Sequence, residues 1–362
     1  VKWLNLLLIS GLVAIVAELL GWSPLLVFVT SSLAMIPLAG LLGEATEVLA
    51  LHTGPRVGGL LNATLGNAAE LIIAIMALRE GILNPAINEH MLELVRASLT
   101  GSIMGNILLV LGLSVLVGGL RHGTQRFDRG HAGTNATMLL LAVAALTIPS
   151  LFSHNIETVD RNAVEYLSLG VAGVMILLYA LSLVYQLREA GARSHEDEEY
   201  KAATQEAPHW SVAKAGVVLV VSTVAVVVMS EILVGAVEHV VLEIGIPEFF
   251  LGIILVPLIG NAAEHLVAVR VAAKNQMELS LAVSVGSSLQ VALFVAPLLV
   301  FVSLLMGNPL TLVFNQFELI ALMAAVLIAG LVSLDGETNW LEGAMLLTIY
   351  AVIALGFFWL PM

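Results

Sequence analysis

The pentapeptide GNAAE occurs twice, at Gly66-Asn67-Ala68-Ala69-Glu70 and at Gly260-Asn261-Ala262-Ala263-Glu264, each time inside a long apolar run. The copies are 194 residues apart, and at that offset residues 57–75, VGGLLNATLGNAAELIIAI, face residues 251–269, LGIILVPLIGNAAEHLVAV. Gly58 meets Gly252, Leu61 meets Leu255 and Ala74 meets Ala268. A second match follows each motif. SLTGSIMGNILLVLG from Ser98 faces VSVGSSLQVALFV from Val283 at an offset of 185, which aligns Gly101-Ser102 with Gly286-Ser287.

The surroundings of these motifs are those of a membrane protein. Of 362 residues, 59% are hydrophobic and 11% charged, with a mean hydropathy of +1.00. A soluble domain carries about a quarter charged residues. There is no cysteine, which excludes a disulfide framework, a thiolate metal site and a cysteine nucleophile. Basic residues are too few for nucleic acid to be a partner. Neither an H-E-x-x-H pattern nor a G-x-x-x-x-G-K-[ST] loop is present, so neither a zinc protease nor an ATP-driven pump is indicated. The reading is a transporter rather than an enzyme, with no cofactor.

A spanning helix needs about 20 mostly apolar residues. Eleven runs qualify: 3–20, 25–51, 57–78, 87–117, 133–152, 162–186, 210–241, 248–270, 277–305, 314–333 and 340–360. The first lacks a small-residue cleavage site and reads as a spanning helix. With alternating loops, one side collects Lys2, Arg56, Arg121, Arg126, Arg129, Arg188, Arg193, Lys201, Lys214, Arg270 and Lys274. The other side collects only Arg79 and Arg161. Positive residues accumulate on the cytosolic side, so the N-terminus is expected in the cytosol and the C-terminus outside. Arg96 falls inside the fourth run, where its long side chain is expected to snorkel from a helix break near one surface rather than be buried with Glu93 or Glu89. His52, His122, His131 and His154 are expected in loops.

The motif runs are the third and the eighth. They are an odd number of helices apart and so cross the membrane in opposite directions. The expected fold is therefore all-α and polytopic, with eleven transmembrane helices. An extra N-terminal helix (1–20) precedes a five-helix repeat (24–187). An acidic cytosolic linker (188–209) follows, then a second five-helix repeat of inverted topology (210–362). In that architecture secondary transporters place their substrate site at the repeat interface near the bilayer midplane. The linker, with Glu196-Asp197-Glu198-Glu199 at its centre, reads as a solvated connection.

A carboxylate at the bilayer centre costs about 2.5–3.5 kcal/mol on insertion scales and persists where it faces a cavity and has a partner. Glu70 follows Asn67 by three residues and shares its helix face, and Glu264 repeats this with Asn261. Gly66 and Gly260 let another helix or an ion approach the backbone. Pro257 removes an N–H and frees the Ile253 carbonyl, so the eighth run should kink or unwind there. The second match supplies Ser102, Asn106, Ser287, Ser288 and Gln290, with Gly101 and Gly286 as motif glycines. Every donor in this set is oxygen, which suits calcium, a cation that takes six to eight oxygen ligands. Two carboxylates neutralise one divalent ion. When it leaves, two bare like charges in low dielectric are unfavourable, and protons take its place.

GNAAE in two inverted halves, with LLGEATEVLA before the first and GSSLQ after the second, resembles the calcium/cation antiporter superfamily and, within it, the calcium/proton exchanger (CAX) branch. The likeness covers nearly the whole chain. Sodium/calcium exchangers of the superfamily carry Ser and Pro in the corresponding stretch, in G-[ST]-S-x-P-[ED] style, where this chain has Asn and Ala. The resemblance implies exchange of cytosolic Ca2+ for H+ by alternating access, with Glu70 and Glu264 binding calcium and protons in turn. It assigns Asn67, Asn261, Ser287, Gln290, Ser102 and Asn106 to the cation site. It also implies acidic residues on the access routes: Glu47 and Glu231, with Glu44 and Glu238, which share the 194-residue offset, as alternatives. The expected setting is the plasma membrane of a prokaryote, with a homo-oligomer left open. The rival reading is a sodium-coupled calcium exchanger of the same superfamily. A cation channel is more remote, because channels place their symmetry around an oligomeric pore.

Overall fold

The computed structural model describes residues 4–157, 162–190 and 210–360. It is almost wholly helical: α1 Leu8–Leu19, α2 Pro24–Leu65, α3 Ala68–Leu83, α4 Pro85–His122, α5 Arg129–Glu157, α6 Ala163–Ala190, α7 Val212–Ile244, α8 Leu251–Gly260, α9 Ala262–Ala272, α10 Met277–Leu305, α11 Gln316–Val332 and α12 Trp340–Phe358. Among the described residues, seven helices are long and apolar enough to cross a membrane, and α8 with α9 makes an eighth if that bent pair is one span. Two expected runs are shorter than a full span as helices. Run 3–20 contributes the 12-residue α1, and run 314–333 the 17-residue α11. The linker from 191 to 209 lies outside the described residues.

Helical hydrogen bonding runs through α2 for 42 residues, across two expected spans. The chain nevertheless reverses inside it. Gly58 is pressed against the backbone of Ala50, and residues eight apart in a straight helix are separated by about 12 Å. A helix restarting near Gly58 is what the separate runs 25–51 and 57–78 anticipate. The histidines expected in loops are helical instead. His52 lies in α2 and bonds the Val48 carbonyl, His122 ends α4, and His131 and His154 belong to α5.

The chain divides into two compact units. The first comprises residues 1–76, 177–240 and 259–263; the second comprises 77–176, 241–258 and 264–362. In the first, α1 packs on α2 through a seam of small residues, with Gly11 against Ala34 and both Ala14 and Ala17 fully buried. With no hydrophobic drive between helices in lipid, close packing of small residues supplies the attraction. Met229 of α7 reaches the same seam, and Ser230 donates to the Met35 sulfur.

In the second unit α4 is the central helix. Its C-terminal half packs on α12 with Gly112 and Gly343 at the crossing. Its N-terminal half packs on α8, and α5 lies along α10 and α11. A two-stranded ribbon, β1 Gln125–Arg126 with β2 Glu337–Thr338, ties two loops together. Buried Gln125 donates from its side-chain nitrogen to the Ala272 carbonyl and to Asn275 Oδ1, both at 3.0 Å. At the opposite end α10 terminates at Gly307, whose positive φ of 77° suits glycine. The next residue, Asn308, exchanges amide hydrogen bonds of 2.7 and 3.0 Å with Asn88 and reaches the Leu78 carbonyl at 3.4 Å. Asparagine also starts α11 and α12: Asn315 and Asn339 each form a capping box with the glutamate three residues on.

Candidate cation site

Both copies of GNAAE interrupt a helix. In the first, helical geometry lapses at Gly66-Asn67 and resumes with α3 at Ala68. In the second it lapses at Asn261, where α8 and α9 diverge by 66°. Each asparagine immediately precedes its helix, and each glutamate is the third residue inside it. The first N–H groups of a helix have no intrahelical acceptor. A carboxylate in that first turn gains about 0.3–1 kcal/mol from the helix dipole. Asn67 and Asn261 are buried, at 1% and 2% exposure, and the two glutamates are half-buried.

The expected break at Pro257 is found, in two parts. A π-helical turn, Leu251–Leu255, precedes the proline, and the sharp bend follows it at Asn261. The other polar helices carry π-turns as well. In α4 the turn spans Gly105–Val110 and includes Asn106; in α10 it spans Val291–Val295, directly after Gln290. Their last residues are 185 apart, the offset that aligned the Gly-Ser motifs. Single π-turns inside α-helices are frequent at functional sites.

Within the first unit the two motif copies meet. Glu70 Cγ lies 3.6 Å from where a Cβ on Gly260 would stand, as does Ile73 Cδ1. A Cβ on Gly40 of α2 would stand 3.4 Å from Ala263 Cβ of the second motif. Within the second unit Ser287 Oγ donates to Glu264 Oε2 at 2.9 Å. The adjacent Ser288 donates to the Ile103 carbonyl at 3.3 Å, which couples α10 to the Ser102 turn of α4. Ser102, Asn106 and Ser287 are buried, and Gln290 is half-buried. Gly101 lies directly on the backbone of Ile253, so no side chain fits there; Pro257 cannot supply the usual i+4 donor to the Ile253 carbonyl. Gly286, its counterpart, has room for a methyl group, with nothing among the described residues within 4 Å of where a Cβ would stand.

The remaining candidates are placed less closely. Glu44 and Glu47 are half-buried on α2 and Glu231 is exposed on α7. The side chain of Glu238 lies outside the described residues. Among the described residues no three His, Asp or Glu side chains converge as a resident metal centre requires. The expected set has two carboxylates and completes itself with amides, hydroxyls and carbonyls.

Arg96 corrects its expectation. It lies within the continuous helix of α4, not at a break, and it interacts electrostatically with Glu93, Glu318 and Glu89. Four residues separate Glu89 from Glu93 and three separate Glu93 from Arg96, which stacks all of them on one face. Glu318 is a further membrane-helix carboxylate, 1% exposed, that sequence reading missed. Its signal was the Asn-x-x-Glu capping pattern at Asn315 to Glu318.

The sodium/calcium exchanger protein family profile matches residues 23–188 and 214–359. The chain is 42% identical to the Ca(2+)/H(+) antiporter of Aphanothece halophytica over 360 residues, covering 96% of this chain and 94% of that protein. It is 45% identical to the Ca(2+)/H(+) antiporter of Synechocystis sp. over 363 residues, covering 95% and 94%. The solved structure of native YfkE matches with a TM-score of 0.84 at 38% identity, over 99% of this chain and 100% of that one. A profile that spans both halves, relatives of equal length and a shared fold lead to one conclusion: the chain belongs to the sodium/calcium exchanger protein family.

Proposed function

We propose that this protein is a secondary active antiporter that exports cytosolic Ca2+ in exchange for H+ by alternating access. Relatives of the same length that are named Ca(2+)/H(+) antiporters support the chemistry. The site assignment rests on one observation: the carboxylate arm of the first GNAAE lies against the glycine of the second. Glu70 and Glu264 are the charge-changing pair, which holds either one Ca2+ or protons. Asn67, Asn261, Ser102, Asn106, Ser287 and Gln290 supply neutral oxygen. The Ser287 hydroxyl fixes the orientation of Glu264 and turns an oxygen to the ion when the carboxylate swings toward it. Glu47 and Glu231 attract cations along the two approaches, with Glu44 and Glu238 in support.

The helices form eleven spans, one plus two inverted repeats of five, in a cell membrane with the N-terminus in the cytosol. The paired helix breaks and the π-turns at matching offsets support the repeat. Because the chain has no cysteine, single cysteines introduced at Lys2 and Leu360 report the topology through a membrane-impermeant maleimide. Labelling of residue 2 from outside intact cells overturns it.

Calcium uptake into inside-out vesicles tests the function. An imposed proton gradient, acid inside, drives uptake in sodium-free medium, and collapsing it with a protonophore stops uptake. The sodium-coupled reading predicts the reverse, with uptake that follows an imposed sodium gradient and ignores the proton gradient. Flux that ignores both points to a channel.

A further inference from the structure

The charge stripe on the N-terminal half of α4 takes no part in the site above. Glu89, Glu93, Arg96 and Thr100 recur at spacings of four, three and four residues, so they form one face. Glu318, at the start of α11, faces this stripe and interacts with Arg96, Glu93 and Thr100. One guanidinium is thereby set against three carboxylates. Glu318 is the most enclosed of them. Its Oε2 accepts the Asn315 backbone N–H at 3.1 Å, closing the capping box, while its Oε1 is buried with no hydrogen-bond partner. The Thr100 hydroxyl beside it is committed to the Ala97 carbonyl at 3.0 Å.

A buried carboxylate oxygen without a donor is strongly unfavourable as a charge. The deficit can be filled by a cation or by a proton. Arg96 decides between them, because a fixed positive charge repels a divalent ion and leaves a proton free to bond to Oε1. The stripe also leads to the cation site. Thr100 neighbours Ile103 one helical turn on, the Ile103 carbonyl accepts from Ser288, and the adjacent Ser287 bonds Glu264. All these residues belong to the second unit.

We propose that Glu318, with Glu93 and Glu89 as its approach and Arg96 as its filter against metal ions, is a proton-relay site on a path to Glu264 separate from the calcium route. A hydronium ion in the water at the start of α4 and α11 gives its proton to Glu89 or Glu93. The proton passes to Glu318 Oε1, forming an O–H bond there. That bond breaks when the proton moves inward to Glu264, and the Glu318 carboxylate is regenerated for the next cycle. The water left behind returns to bulk, and no other reactant is consumed. The inference rests on the antiporter reading of the previous section.

The test is Glu318→Gln in reconstituted vesicles. Glutamine keeps an oxygen for the Asn315 N–H and so preserves the capping box, but it cannot pass on a proton. Two rates are read: proton-driven Ca2+ uptake, and isotopic exchange of radioactive for unlabelled Ca2+ with no proton gradient, which moves no net proton. The expected result is that proton-driven uptake falls by about ten-fold or more, the scale on which a positioned proton-transfer group acts. Ca2+/Ca2+ exchange and the KM for Ca2+ stay at wild-type values. Glu93→Gln, which lies outside the capping box, shows the same selective loss and serves where E318Q disturbs folding. Equal loss of both rates makes Glu318 a purely structural capping group and overturns the relay, as does wild-type behaviour in both variants. Failure of the wild-type protein to couple uptake to protons overturns instead the antiporter reading beneath it.

Discussion

Gly101 and Gly286 hold the same place in two matched segments, yet among the described residues an added Cβ would meet a neighbour only at Gly101. Gly101 of α4 lies against the backbone of Ile253, and a Cβ on Gly252 would stand only 2.6 Å from Ala97 Cβ. Gly286 of α10 has open space around it among the described residues. Equal sequence with unequal packing is informative in a transporter. One position is held against a backbone and the other has room for a methyl group, so the same substitution at each asks a different question.

The largest effect tests where the halves must stay equal. Glu70→Gln and Glu264→Gln each abolish exchange, because one remaining carboxylate cannot match a divalent charge. Both variants elute from size exclusion as the wild type does. Retained proton-driven Ca2+ uptake in either variant breaks the claim that the two motif copies form one site.

The glycines test where the halves differ. A methyl group at Gly101 overlaps the Ile253 backbone, which cannot rotate away as a flexible side chain would. Gly101→Ala is therefore expected to lower stability by about 1–3 kcal/mol, the range for overpacking, and to reduce transport with it. Gly286→Ala leaves thermal stability close to wild type. Equal thermal shifts in the two variants remove the asymmetry.

Much of this was legible in the sequence, for a physical reason. A polar motif inside a membrane run is expensive, so its repetition carries information, and GNAAE marked where to look; that helical geometry lapses at Asn67 and Asn261, inside runs read as continuous helices, came only with the structure. Pro257 announced the broken α8. The separate runs 25–51 and 57–78 anticipated the reversal within α2, but the shorter helices α1 and α11 and the three π-turns were not legible. Hydropathy reads length and composition, whereas these features depend on which carbonyl a given N–H selects. Arg96 was misplaced for a related reason. Its partners on its own helix were visible, but Glu318 comes from a helix more than 200 residues further along the chain, and no periodicity connects them.

Ser287 gives the next smaller effect and sharpens the comparison between carboxylates. Its hydroxyl donates to Glu264 at 2.9 Å. Hydrogen bonds to charged groups contribute about 1.5–3 kcal/mol. Ser287→Ala is expected to raise the KM for Ca2+ by roughly ten-fold with a smaller change in maximal rate, since it weakens ligand orientation and leaves both charges in place. Ser287→Thr retains the hydroxyl and keeps most of the affinity. A fall in maximal rate with unchanged KM assigns Ser287 to the moving step instead of to the ion.

The smallest effect concerns the fixed end of the same unit. Asn308 follows α10 and exchanges two amide hydrogen bonds with Asn88 at the start of α4, while also reaching the Leu78 carbonyl. This pair joins the start of α4, which carries Gly101, to the end of α10, which carries Gly286. Asn88→Ala and Asn308→Ala each lose about 1 kcal/mol, the usual net value of a hydrogen bond in a folded protein. Asn308→Ala loses the more, because it also leaves the Leu78 carbonyl without that donor. If the anchor is rigid, the double variant loses less than the sum of the singles in unfolding measurements, as residues of one hydrogen-bond network do. Additive losses mean the two amides act independently, and the hinge between α4 and α10 then has to be sought further into the membrane, at the π-turns.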